Sequence, residues 1–164
     1  MEPTPTPGEK VRLRPITDED LDLLFEQESD PIAHHMVAFA EPERGNRDGF
    51  DAHWARIRQL DSVLVRAIER DGVLVGHIAK FERDGNAEVT YWIGRPFWGQ
   101  GIATAALRQF LIEFPLRPIR AGAVADNAGS LRVLEKCGFQ RTGNVIEFAQ
   151  GRGVEVPVVL LILD

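Results

Sequence analysis

The sequence predicts an α/β domain: a mixed, mostly antiparallel sheet of about seven strands with helices on both faces. Three observations carry this. Two β-branched stretches, 62–70 and 73–83, flank Asp71-Gly72, a strong two-residue hairpin signal, and Asp84-Gly85-Asn86 turns the chain again into a central strand. That strand, Glu88 to Gly94, runs through a glycine-rich loop into a helix marked by Ile102, Ala105, Ala106, Leu107, Phe110 and Leu111. Finally, residues 154–163 (VEVPVVLLIL) are apolar enough to belong inside the sheet rather than at its edge.

In chain order, residues 1–9 are proline-rich and read as a flexible tail, which leaves 10–164 as one domain long enough to bury a full core. KVRLRPI (10–16) alternates basic and apolar residues as a strand, with Pro15 ending it or marking an edge. Thr17 is the expected N-cap of a helix with Asp18, Glu19 and Asp20 at the positive end of its dipole. Leu21, Leu23, Leu24 and Phe25 form its apolar face, and it should end near Ser29 or Asp30, before Pro31. Residues 32–46 are expected to be irregular, with Pro42 and Gly45 as breakers. A helix from Arg47 to about Leu60 follows, capped by Asn46, with Phe50, Trp54 and Ile57 inward. Gly76 marks a possible bulge in the second hairpin strand. Beyond the central motif, 117–125 reads as a parallel strand. Asn127 then caps a helix with Leu131, Val133 and Leu134 buried and Gly138 as its terminator. Asn144 to Gln150, the turn Gly151-Arg152-Gly153 and Val154 to Leu163 make the last hairpin.

Charge and composition limit the function. A net charge of −6 argues against a general nucleic-acid binder and suits a cationic amine substrate. The lone Cys137 excludes an internal disulfide and fits a reducing compartment. No apolar run reaches membrane-spanning length and no signal peptide is visible, so a cytoplasmic protein with no membrane partner is expected.

The chemistry concentrates in Trp98-Gly99-Gln100-Gly101-Ile102-Ala103. Two glycines one residue apart at a helix N-terminus let several backbone N–H groups converge on one anion, and the helix dipole favours a phosphate there. A nucleotide P-loop would need Gly-Lys-Ser/Thr, which is absent. A dinucleotide fingerprint would need a third glycine where Thr104 stands.

The stretch Tyr91-Trp92-Ile93-Gly94-Arg95-Pro96-Phe97-Trp98-Gly99-Gln100-Gly101-Ile102-Ala103-Thr104-Ala105-Ala106-Leu107 resembles the central motif of acetyl-CoA-dependent N-acetyltransferases. The form is that of the Rim-type (ribosomal-protein-alanine acetyltransferase) branch of the GNAT superfamily. In the general pattern Gln/Arg-x-x-Gly-x-Gly/Ala, Trp98 takes the first place and Gly101 and Ala103 the others. The run Asn127-x-x-Ser130-x-x-Val133-Leu134-Glu135-Lys136-x-Gly138-Phe139 is similar to a second motif of the same branch, at the expected distance downstream. The resemblance extends over nearly the whole chain from Arg12.

It implies acetyl-CoA as co-substrate, no metal, and a sheet splayed between the central strand and the strand ending at Ala125. Pyrophosphate would sit on the backbone of Trp98, Gly99, Gln100, Gly101, Ile102, Ala103 and Thr104. Pantetheine would pair with Trp92, Ile93 and Gly94 as an added strand, with the Ile93 N–H on the thioester carbonyl. Asn127 would hold pantetheine or pyrophosphate while capping its helix. Lys136 would reach a CoA phosphate or simply sit at an exposed helix end.

The resemblance also implies two catalytic residues. Glu88 would be the base that takes the ammonium proton, directly or through water; alternatively it sits at the wet end of its strand and pairs with a Lys or Arg. Many members carry a tyrosine acid seven positions after the asparagine, where Leu134 stands here. Ser130 is the branch's substitute, hydrogen-bonding the sulfur or a nearby pantetheine group, or else it only serves the helix's first turn.

The acceptor wall would come from the first helices, with His34, His35 and Phe39 as candidates. The acceptor would be a protein N-terminus or a small-molecule amine, attacking directly in a ternary complex formed by a monomer or homodimer. The competing class is a non-catalytic acyl-CoA-binding module. Cys137, beside a helix end, reads as structural, and the four histidines show no metal-ligand spacing.

Overall fold

The computed structural model describes residues 10–37 and 46–164; the expected tail and Phe39 lie outside the described residues. One seven-stranded sheet runs in the order β1-β2-β3-β4-β5-β7-β6. Its strands are β1 (Val11–Arg14), β2 (Leu64–Arg70), β3 (Val73–Arg83), β4 (Asn86–Ile93), β5 (Ile119–Val124), β6 (Gln140–Ala149) and β7 (Val154–Leu163). The helices are α1 (Leu21–Glu28), α2 (Pro31–Val37), α3 (Arg47–Gln59), α4 (Ile102–Glu113) and α5 (Ala128–Lys136). All ladders are antiparallel except β4 with β5. As the sequence predicts, β7 is internal, between β5 and the edge strand β6.

The two helical layers are separated by strand alternation. Ile68 of β2 and Val89 and Ile93 of β4 pack with Ile102, Leu107 and Phe110 of α4 and with Leu131 and Leu134 of α5. The other face of β2, Ala67 and Val65, meets Leu24 of α1 and Phe50 and Trp54 of α3. Trp92, on that face of β4, packs on Ala33 of α2.

Local signals explain most element ends. Asp71-Gly72 and Asp84-Gly85 each place both residues at positive φ, the geometry of two-residue hairpins. Asn86 is therefore already in β4 rather than in the turn. Asn46 Oδ1 accepts the Gly49 N–H at 2.7 Å to cap α3. Gly138, at φ 97°, ends α5 with paired bonds from the Gly138 and Phe139 N–H groups to the carbonyls of Glu135 and Leu134.

Two expectations are corrected. Residues 31–37 are helical, not irregular. Pro31 opens the helix instead of only closing the previous one, because a proline's missing N–H is an orphan at the first position anyway. The Asp30 carboxylate accepts the Ile32 N–H at 2.9 Å and completes the start. The last hairpin also begins at Gln140, ahead of the expected Asn144, with a register shift between Arg141 and Gly143. Its opening residues are polar and exposed, so they carry no alternation to read.

Two backbone features shape the centre. In β3, Val75 is the extra residue of a bulge opposite β2, between the pairs Ile68↔Gly76 and Glu69↔Leu74. Gly76 beside it lies so close to β4 that an added Cβ would fall 2.0 Å from the Trp92 carbonyl oxygen. Further along the sheet, β4 and β5 share a single register pair, Glu88↔Arg120, and then part.

Candidate active site

The parting of β4 from β5 opens a cavity of about 590 Å³. On the β3 side, the Gly94 N–H donates to the Val75 carbonyl at 2.8 Å. Strand alternation then turns the N–H and C=O of Ile93 the other way, toward the gap. The Ile93 carbonyl accepts the Trp98 indole N–H at 2.7 Å, so this side chain pins the end of β4. Trp92, Ile93 and Trp98 all line the cavity.

The floor is the loop into α4. Gly99 and Gly101 adopt φ of 74° and 77°, a left-handed backbone that side chains disfavour. No side chain caps α4, so the amides of its first turn remain available to a ligand. The loop residues Gly99, Gln100, Gly101, Ile102, Ala103 and Thr104 all line the cavity. The Gln100 side chain is tied outward, donating to the Pro96 carbonyl at 3.3 Å and accepting from Arg70. It therefore braces the loop from outside, and the loop backbone lines the cavity.

The opposite wall is α5. Asn127 Oδ1 accepts the Ser130 N–H at 3.2 Å and its Nδ2 donates to the Met36 carbonyl at 3.4 Å, joining α5 to α2. Ser130 Oγ lies 2.9 Å from the Tyr91 hydroxyl, which is also 3.3 Å from the Ser130 carbonyl. Burial pushes the Tyr91 phenol up to about 12, so it stays protonated at neutral pH. Leu134 is buried in the core and only packs. Arg132 and Lys136, one turn apart and exposed, bring positive charge to the wall facing the α4 N-terminus.

The acceptor-side candidates distribute unevenly. Ala33 and Met36 of α2 line the cavity; His34 and His35 do not. The His34 ring stacks edge-on against Trp92 at 5.7 Å, and the His35 carbonyl accepts from Arg152 at 2.8 Å. Arg152 also forks onto Asp126 at 2.7 and 2.9 Å and holds that carboxyl below its usual range. Glu88 stands at the closed end of the gap, outside the cavity lining, 3.1 Å from Arg83 Nε. Burial pushes its carboxyl up, with Arg83 opposing.

Burial likewise pushes the Cys137 thiol up, which removes it as a nucleophile. Among the described residues, no group of three or more His, Cys, Asp or Glu side chains could hold a metal, and no helix is long and apolar enough to cross a membrane.

Sequence reasoning missed Tyr91, Arg132, Ala33 and Met36. Tyr91 was within reach, because it shares a strand face with Val89 and Ile93 and so points at α5. Arg132 was equally legible from its four-residue spacing to Lys136. Ala33 and Met36 carry no signal, since their place depends on how α2 docks.

Residues 10–140 match the family model described as an acetyltransferase (GNAT) domain. The chain is similar to the SPbeta prophage-derived uncharacterized N-acetyltransferase YokL of Bacillus subtilis, at 29% identity over 154 residues, covering 88% of this chain and 85% of that protein. Its fold is similar to Mycobacterium smegmatis RimJ in complex with CoA-disulfide, with a TM-score of 0.80 at 24% identity, over 96% of this chain and 83% of that one. It is also similar to spermidine N-acetyltransferase from Vibrio cholerae in complex with CoA and spermine, with a TM-score of 0.79 at 19% identity, over 93% and 95%.

Proposed function

The chain belongs to the GNAT acetyltransferase family, and on that premise we propose that it moves an acetyl group from acetyl-CoA to a primary amine by direct attack in a ternary complex. Family membership makes it an acetyltransferase, so the non-catalytic acyl-CoA-binding alternative is set aside. The observation that carries the donor assignment is the juxtaposition of two unfilled backbone features. The gap-facing N–H of Ile93, whose carbonyl already accepts the Trp98 indole N–H, suits a carbonyl of the acyl-CoA, and the uncapped first turn of α4 suits pyrophosphate. The CoA complexes of RimJ and of the spermidine enzyme support the same reading.

The roles follow from position. The amine lone pair attacks the thioester carbon, the N–C bond forms, and the C–S bond breaks with its electron pair going to sulfur. Nitrogen loses two protons in all, one from the ammonium before attack and a second as the amide forms, and sulfur gains the second. The Ile93 N–H holds the oxyanion, and Ser130 holds the sulfur. Glu88 takes the ammonium proton through water, because it lies at the closed end of the gap and not in its wall. Arg132 and Lys136 attract the CoA phosphates. Asn127 positions pantetheine with the amide hydrogen that its two bonds leave over. The acceptor is a protein N-terminus or a small-molecule amine entering from the α2 side, past Ala33 and Met36. Acetyl-CoA as co-substrate and the single thiol support a cytoplasmic setting.

Thermal unfolding with acetyl-CoA, CoA, ATP and NADH tests the donor. A CoA species at 100 times its Kd should add about 2.7 kcal/mol of apparent stability, with no shift from ATP or NADH. No shift with either CoA species would overturn the reading. In the same assay Gly101→Val should weaken CoA binding by about 100-fold, because forcing a side chain out of the left-handed region turns the first-turn amides away. Unchanged binding would remove the loop from the site.

A further inference from the structure

Resting on the acyl-CoA reading, we infer that Tyr91 is a positioning residue for thiolate departure, its phenol donating to Ser130 Oγ so that the serine's own proton points at the CoA sulfur. The usual tyrosine position is filled by Leu134, which lies in the core and offers no hydrogen. Tyr91 brings a phenol to the same helix from the sheet side. Its hydroxyl stands 2.9 Å from Ser130 Oγ, a contact in which either oxygen can donate, and 3.3 Å from the Ser130 carbonyl; in the inferred arrangement the phenol's single hydrogen goes to the nearer Oγ, and both residues line the cavity.

A serine in a first helical turn has several acceptors for its proton, including nearby carbonyls of its own helix. A phenol that donates to its oxygen leaves that proton as the hydroxyl's one remaining function and polarises it outward. The phenol keeps its hydrogen across the neutral range, so it is a constant donor. No proton passes to or from Tyr91. The pair stabilises the electron pair left on sulfur, and the proton that sulfur gains is the second that nitrogen loses.

Among the described residues, the charged and titratable groups around the pair are Arg132, Lys136 and Cys137 on α5. The neighbouring residues of β5, Ala121 and Ala123, and Ala103 and Thr104 of α4 carry no charge. Glu88 points to the other face of β4.

The test needs no acceptor. The affinities of CoA and desulfo-CoA are measured at pH 7 and at pH 9.5 for the native protein, Tyr91→Phe and Ser130→Ala. Desulfo-CoA removes from the comparison every titration that does not involve the sulfur. In the native protein the CoA preference should rise about tenfold at the higher pH, the increment of a hydrogen bond to a charged over a neutral partner. Both variants should lose that rise while binding desulfo-CoA normally and melting near the native temperature. A rise that survives in Tyr91→Phe, or that Ser130→Ala alone removes, would overturn this inference and leave the donor assignment standing. Failure of the native protein to bind either ligand would overturn both.

Discussion

Glu88→Gln is expected to lower turnover by about 10²–10⁴-fold while leaving acetyl-CoA affinity nearly unchanged. The amide has the shape of the carboxylate but cannot take a proton, and Glu88 lies outside the cavity lining, so ligand contacts survive the change. The carboxyl is pushed up by burial despite Arg83 at 3.1 Å. A base must be ionised to act, so native turnover should fall as pH drops through a value above the ordinary glutamate range. The residual rate of the variant should lose that inflection and instead climb steadily with pH, following the free-amine fraction alone. Steady-state kinetics with thiol detection, from pH 4.5 to 8.5, reads both effects. An unchanged rate would reduce Glu88 to a partner for Arg83 and would leave proton removal to solvent.

Gly76→Ala should cost about 3 kcal/mol or more of stability, beyond the usual penalty for overpacking. The added carbon would fall 2.0 Å from the Trp92 carbonyl oxygen and 3.1 Å from Ile93 Cα. Both are backbone atoms, with no flexible end to swing aside. The strain can be relieved only by moving β4 from β3, and that breaks the Gly94 to Val75 bond that turns Ile93 toward the gap. Denaturant unfolding measures the loss. Stability within about 0.5 kcal/mol of the native protein, as for an ordinary surface change, would show that the two strands do not approach as described.

The parts of this fold visible in the sequence are those fixed by local chemistry. Asp71-Gly72 and Asp84-Gly85 demand positive φ and set two hairpins, and Gly99-x-Gly101 before an apolar helix marks the loop. Gly76 was visible as an irregularity, but its reason, the approach of Trp92, is a distance between strands that no local pattern encodes. Pro31 shows how one residue supports opposite readings, since the ring that stops one helix also suits the first position of the next. The candidate site divides in the same way. The backbone cradle was legible, whereas the wall from α2 was not, because Ala33 and Met36 reach the cavity through bonds such as Asn127 to Met36 that join residues 91 positions apart. The pairing of Tyr91 with Ser130 lies between these cases: strand parity gives its direction, and only the docking of α5 gives its partner.

The single bridge between β4 and β5 also bears on how the molecule opens. The sheet's hydrogen-bonded continuity is nearly broken there, leaving β1–β4 and β5–β7 as two blocks. What unites them is chiefly the side-chain packing beneath α4 and α5. Such blocks are natural foldons, able to separate at a free energy below that of global unfolding. A ligand lying along the gap with bonds to the β4 edge would splice them into one cooperative unit. Its binding would appear in amide exchange as slowed opening far from its own contacts, out to strands it never touches.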